Sequence, residues 1–324
     1  EFILPELIST LWSARDKAKA SKNTALSQAI KIIMNSFYGI LGTVGCRFLD
    51  SRLVSSITKR GHEILIQSKN FIEDAGYQVI YGDTDSVFVL LGSVPDDQVN
   101  VIGEGLTTQL NAWWTNRLRE KYDISSFLEL EFETHFSKFL MPTVRGSDAG
   151  SKKRYAGLVV DNSNPKKSHL LFKGLESVRS DWSPLAREFQ KELYRRVFFG
   201  EPYEDYIKLT VQQLTDGKYE SELVLRKRLR RKLKDYIKNV PPHAQAARKA
   251  EDIRRQLELP SLYQSGGWIE YIMTINGAEP RQYRESAIDF EFYIERQLAP
   301  IADAILAFKS SSMDKILNNQ IGLF

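Results

Sequence analysis

The chain has 324 residues, 42% hydrophobic and 27% charged, with a formal net charge of +4. That length suits two domains or one domain with a large appendage, and the composition is that of an ordinary globular protein. No run approaches the roughly 18 apolar residues of a membrane span, and one cysteine, Cys46, excludes an intramolecular disulfide and suits a reducing cytosol. The opening EFILPEL carries neither an initiator Met nor a basic leader, which reads as an excised piece of a longer protein.

In chain order, residues 4–20 predict a helix entered through Pro5, a favoured first-turn position. SKNTALS marks a turn. A second helix follows over 25–39, where Leu26, Ala29, Ile30, Ile33, Met34 and Phe37 form one apolar stripe. After a segment with Gly39, Gly42 and Gly45, residues 51–75 predict a third helix closed by Gly76. YQVIYGDTDSVFVLL alternates with period two and predicts a β-hairpin turning at Gly82-Asp83-Thr84-Asp85. Residues 99–122 read as a helix, and FLELEFETHFSKFLMPTVR as strand followed by strand. A second hairpin is expected from KKRYAGLVVDNSNPKKSHLLFKGLE, with its loop at 162–165. Beyond Trp182 the pattern turns helical, with Leu185, Phe189, Leu193 and Val197 on one face, then a basic helix at RKRLRRKLK (226–234). A late hairpin near Gly266-Gly267 and Asn276-Gly277 and two closing helices complete an α+β order, with the best boundary near 177–183.

Several positions carry candidate chemistry. Lys31, Asn35 and Tyr38 stand at i, i+4 and i+7, on one ridge beside the apolar stripe. Arg15 and Lys19 repeat the spacing on the preceding helix, so the pair offers a cationic clamp for a triphosphate, or simply solvated faces. Asp83 and Asp85 share a face if the strand is extended. They are either turn formers or a repelling pair that a divalent cation would relieve. Lys152, Lys153 and Arg154 with Tyr155 suit a grip on a phosphate backbone, or a charged edge strand. Arg226, Arg228, Arg230 and Arg231 suit polyanion binding or a solvated helix face.

Taken together, KIIMNSFYG (31–39) resembles the K-x3-N-S-x-Y-G motif of family B DNA polymerases, and YGDTDS (81–86) their metal-binding hairpin. KKRY (152–155) resembles their primer-template motif, and KGLESVRSD (173–181) the segment that opens the thumb. The motifs stand in the family's order, and the resemblance runs through essentially the whole chain. It implies a fingers helix pair over 1–45, a mixed α/β palm with a mainly antiparallel sheet over 46–178, and over 179–324 a mostly helical thumb with a small β element. It further implies two Mg²⁺ ions held through Asp85 and, less directly, Asp83. Lys31 and Asn35, with Arg15 and Lys19, would contact a dNTP; Tyr38 and Gly39 would pack beside the nascent base pair. Lys153 and Tyr155 would hold the primer end, and Lys173 and Arg179 its backbone, assisted by the 226–231 arginines. Glu131 is a looser match to an acidic palm residue.

The family's further metal-bridging aspartate lies in a D-x-x-S-L-Y-P motif that the residues before Arg15 do not contain. The resemblance therefore implies the C-terminal part of a cytosolic, monomeric polymerase with half a catalytic site, acting on primer-template DNA. The terminal NNQIGLF places Gln320, Leu323 and Phe324 in a Q-x-x-L-F pattern, similar to the peptide that docks bacterial polymerases on the sliding clamp; the plain alternative is a frayed end. Two rival readings stay open: a duplex-binding module without chemistry, and a palm-based nucleotide cyclase.

Overall fold

A computed structural model describes residues 3–142, 153–160 and 168–318. Lys152, the expected loop at 162–165, and Gln320, Leu323 and Phe324 lie outside them. The chain divides between Glu133 and Thr134 into two units, and the architecture is α+β with small antiparallel sheets.

In the first unit, α1 (Ile3–Ala20) and α2 (Thr24–Leu41) pack on each other. Lys22 turns the chain at φ 54°, and the Asn23 side chain caps α2 by accepting from the Leu26 N–H at 3.0 Å. Helix α3 (Ser51–Asp74) starts on an Asp50 cap and stops before Gly76, whose φ of +92° ends the helical path. Strands β1 (Gln78–Asp83) and β2 (Ser86–Leu90) form the expected hairpin, followed by α4 (Asp96–Tyr122). Ile72, Leu110 and Trp114 are the fully buried centre of this unit, and the Trp114 indole N–H donates to Ser68 Oγ at 2.9 Å.

Two expectations change here. Helix α2 forms as its periodicity predicts, but of its apolar stripe only Ile30 is buried, while Leu26 and Ile33 are each 47% exposed. The second concerns 127–133, which alternates like a strand and runs extended without entering a ladder. Asn111 of α4 takes the place of a neighbouring strand: its amide accepts from the Leu130 N–H at 2.9 Å and donates to the Leu130 carbonyl at 2.8 Å. Both backbone groups of Leu130 are thus satisfied by a side chain and not by a strand.

In the second unit β3 (Lys138–Leu140), β4 (Tyr155–Val159) and β5 (His169–Lys173) form one sheet in that order. Helix α5 (Pro184–Phe199) has Ser183 as its cap, Pro184 in its first turn and Gly200 at φ 72° beyond its end. Its Leu185, Phe189 and Leu193 are buried in a core that also holds Ile301, Ala302 and Ile305 of α9 (Ala299–Leu306). Between them lie α6 (Glu204–Thr215), β6 (Leu225–Leu229), α7 (Pro242–Gln256), β7 (Gly267–Thr274), β8 (Gly277–Pro280) and α8 (Phe290–Tyr293). The chain closes, within the described residues, on α10 (Met313–Asn318).

The expected basic helix at 226–234 is a strand: β6 pairs with β7, which pairs with β8. The reason lies in an ambiguous spacing. Leu225 and Leu229, both buried, are four apart, which keeps them on one face of a helix and equally on one face of a strand. Pairing with a strand some forty residues on decides between the two. Arg226 and Arg228 lie on β6; Arg230 and Arg231 follow it.

One loop in this unit is pinned by a buried carboxylate. Burial by itself would raise the Glu279 pKa, yet it falls from 4.5 to about 2. The Ser286 hydroxyl, the Ser286 and Glu285 N–H groups and Lys249 together outweigh the burial. A depressed carboxylate stabilises the fold above its ordinary pKa and loses that contribution as pH falls towards the folded value. Glu279→Gln is expected to cost about 3 kcal/mol at pH 7 and to flatten the loss of stability between pH 5 and pH 2, measured by denaturant titration.

Candidate functional site

The acidic hairpin owes its geometry to a β-bulge. The register pairs Val79 with Val89 and then Tyr81 with Phe88, Gly82 with Val87 and Asp83 with Ser86, so Ile80 is the extra residue. Val79, Val87 and Val89 pack against the buried cluster of α3 and α4. Residues directly opposite share a face. Gly82 therefore belongs to that inner side, whereas Tyr81, Asp83, Ser86 and Phe88 belong to the outer one. Without the bulge, Asp83 would stand four residues from Val79 and point into the apolar layer. The bulge turns it out.

Asp85 lies beyond the strand. Thr84 adopts φ 52°, and the Asp85 N–H donates to the Asp83 carbonyl at 2.5 Å. The expected sharing of a face by extended i and i+2 positions does not apply, because the left-handed Thr84 separates a strand residue from a turn residue. Asp83 is half-buried and Asp85 exposed. The Thr84 hydroxyl donates to Asp83 Oδ1 at 3.0 Å.

Helix α3 brings this tip and α2 to a common surface. A side chain at Gly82 would meet Leu65 at 3.4 Å, and one at Gly42 would meet Val54 at the same distance. Tyr38 Oη lies 2.8 Å from Thr58 Oγ1. Val54, Thr58 and Leu65 stand at i, i+4 and i+11, one face of a helix, and Thr58 to Leu65 spans roughly 10 Å along the axis. Tyr38 and the acidic turn are thus seated on one side of α3.

On α1 and α2 the candidate cations are accessible. Lys19, Lys31 and Asn35 are exposed, and among the described residues their side chains engage no hydrogen bond or ion pair. Arg15 is half-buried, and its Nε has no hydrogen-bond partner among them. With the turn centred on Lys22, Arg15 and Lys31 stand within about 3 Å of the same level along the helix pair. Glu131 is exposed on the extended 127–133 segment. No three acidic, His or Cys side chains converge on a metal-sized site among the described residues.

In the second unit, Tyr155 opens β4 opposite Lys173 of β5. Its ring lies 6.1 Å from that of Phe136 and 5.2 Å from that of Phe139. Lys153 has φ 63° and Gly174 φ +62°, and a Cβ on Gly174 would fall 2.1 Å from the Lys153 carbonyl oxygen. The KKRY turn is possible because residue 174 is glycine.

Arg154 and Arg179 are occupied within the fold. Arg154 pairs with buried Glu176, which also accepts from Gln190 Nε2 at 2.7 Å, while Gln190 accepts from the Ser177 N–H at 2.7 Å. Arg179 grips Asp181 through two hydrogen bonds of 3.0 and 2.9 Å, which lower the Asp181 pKa and raise that of Arg179. Lys227 lies 3.6 Å from the same carboxylate. Sequence reasoning missed Gly174 and Glu176 as supports of KKRY, although both stand in the KGLES stretch it singled out. Lys173, Arg226, Arg228, Arg230 and Arg231 are exposed.

Two carboxylates thus stand at a hairpin tip above an apolar layer, and the candidate lysines and arginine lie on α1 and α2. Residues 1–318 match the sequence family described as DNA polymerase family B. The chain belongs to the family B DNA polymerases. It is 51% identical to DNA polymerase II of Escherichia coli over 322 residues, 99% of this chain and 41% of that protein. It is also 26% identical to the DNA polymerase of Thermococcus gorgonarius over 99% of this chain and 41% of that one. With the DNA polymerase alpha catalytic subunit of Drosophila melanogaster the identity is 27% over 84% of this chain and 18% of that protein. The chain thus spans well under half the length of these relatives. Family B polymerases are nucleotidyltransferases that use Mg²⁺. The hard oxygen donors of Asp83 and Asp85 fit the one or two carboxylates that Mg²⁺ takes from a protein, as part of a ligand set. No helix among the described residues is long and apolar enough to cross a membrane.

Proposed function

We propose that the chain is the C-terminal region of a template-dependent DNA polymerase: the end of the fingers (1–45), most of the palm (46–178) and the thumb (179–324). The observation that carries this reading is the bulged hairpin, which directs Asp83 to the outer face and seats the acidic turn on the same side of α3 as Tyr38. Asp85 and, less directly, Asp83 would hold the catalytic Mg²⁺, which when bound would supply Lewis-acid stabilisation of the transferred phosphoryl. Lys31, Asn35, Lys19 and Arg15 bind the triphosphate, and the unpaired Arg15 Nε supports that role. Tyr38 and Gly39 pack beside the nascent base pair. Lys153 and Tyr155 hold the primer end, Lys152 adds a DNA contact, and Arg154 is anchored beside Lys153 and Tyr155 through Glu176. Lys173, Arg179 and the 226–231 arginines track the backbone, and Arg179 is held by Asp181, which also lies 3.6 Å from Lys227. These groups position and neutralise; they form no covalent bond with the substrate.

The 324 residues by themselves lack a D-x-x-S-L-Y-P carboxylate. The purified chain is therefore expected to bind primer-template without extending it, measured by gel-resolved extension with all four dNTPs and Mg²⁺. Template-dependent incorporation by the chain alone overturns the half-site reading.

The tail belongs to the same proposal. Gln320, Leu323 and Phe324 dock in an apolar pocket of the sliding clamp. Removing 320–324 from the full-length polymerase is expected to abolish clamp stimulation and leave unstimulated synthesis unchanged; equal stimulation with and without the tail refutes it.

A further inference from the structure

We propose that the outer face of the β6-β7-β8 sheet holds a pocket for one unpaired nucleobase of single-stranded DNA. This goes beyond the duplex contacts assigned above and rests on the polymerase reading for its supply of DNA. The cavity measures about 390 Å³ and is lined by Arg226, Tyr263, Trp268, Glu270, Arg281 and Gln282, within the roughly 300–1,000 Å³ range of small-ligand sites.

The sheet register builds it. Arg226 stands opposite Glu270 and Arg228 opposite Trp268, and these four side chains share the face opposite to buried Leu225, Leu229, Ile269 and Tyr271. Trp268 is 48% exposed, and the Arg226 guanidinium lies over its ring at 4.8 Å from the centroid. An indole beside a guanidinium plane is a stacking platform for a base, since every base offers a π-face to either group. Around the platform stand groups suited to a base edge. Glu270 accepts hydrogen bonds and is oriented by Arg281 at 3.0 Å; the Gln282 amide donates and accepts, and its Nε2 lies 3.3 Å from Tyr263 Oη.

Arg228 on the same face, and Arg230 and Arg231 after it, are exposed cations. They continue the platform as a track for the flanking phosphates. A base inside a duplex is stacked on its neighbours and shows a protein only its edges. The pocket therefore discriminates by strandedness: it takes a base from an unpaired template or a frayed end.

The test uses the 324-residue chain and two fluorescein-labelled probes, an oligo-dT single strand and a hairpin duplex of equal charge, read by anisotropy at two salt concentrations. Trp268→Ala is expected to weaken single-strand binding about 5- to 150-fold, the range of one stacked base. Duplex affinity should stay within twofold, and Trp268→Phe should restore most of the loss. Arg228→Ala should weaken both probes and reduce the salt slope by about one. Loss on neither probe, or equal loss on both, overturns the pocket. So does a wild-type chain that binds duplex but not the single strand, which leaves the polymerase reading standing. Binding to neither probe overturns both. An unchanged thermal melt of Trp268→Ala confirms that the change is local.

Discussion

Asp85→Ala in the full-length polymerase is expected to lower nucleotide incorporation by about 10³-fold or more. The carboxylate sits in a turn, exposed and outside the apolar layer, so its removal exposes no cavity and leaves the hairpin ladder intact. What is lost is an anionic oxygen holding the divalent cations, and removing several kcal/mol of transition-state stabilisation corresponds to a loss of that size. The effect should fall on kcat, with primer-template affinity within threefold of the wild type. The same variant separates the rivals. A duplex-binding module without chemistry predicts unchanged incorporation. A cyclase predicts loss of a cyclic product and no template-dependent extension in the parent enzyme.

Gly174→Ala is expected to destabilise the second unit by about 2–5 kcal/mol, adding left-handed strain to overpacking. The new Cβ would fall 2.1 Å from the Lys153 carbonyl oxygen at a φ of +62°. Backbone atoms cannot yield as a flexible side chain does, so the turn at Lys153 must open. Tyr155 pairs with Lys173 immediately beside it, so the change should also weaken primer-template binding. A chemical-denaturation midpoint and a primer-template titration of the same variant measure both effects. Gly39→Ala is the control, because nothing lies within 4 Å of its added Cβ; its stability should change little. A Gly174→Ala chain as stable as the wild type would refute the role given to this close approach.

Most helices were legible in the sequence because their signals are local. Asn23, Asp50 and Ser183 cap helices that begin where side chain and backbone can meet within three residues, and Gly76 and Gly200 end theirs by conformation. The hairpin at Gly82–Ser86 was legible for the same reason. Failures came wherever a distant segment decided. The 226–234 stretch carries leucines at a spacing that suits helix and strand alike, and β7 resolved it. Residues 127–133 had a strand's alternation but enter no ladder, and at Leu130 the Asn111 amide of α4 takes both backbone groups.

The candidate site divides in the same way. Residue types and motif order by themselves determined the α+β class, the carboxylate pair and the lysine-bearing helix, because caps, periodicity and motif chemistry are written within a few positions. Only the tertiary structure decided that a single extra residue, Ile80, turns Asp83 out of the apolar layer. It alone committed Arg154 to Glu176 and Arg179 to Asp181 while leaving Arg226 and Arg228 exposed beside Trp268. Which face a strand shows and which charge neutralises which are set by pairings between segments, and those pairings are energies of the folded chain, not properties of any short stretch of it.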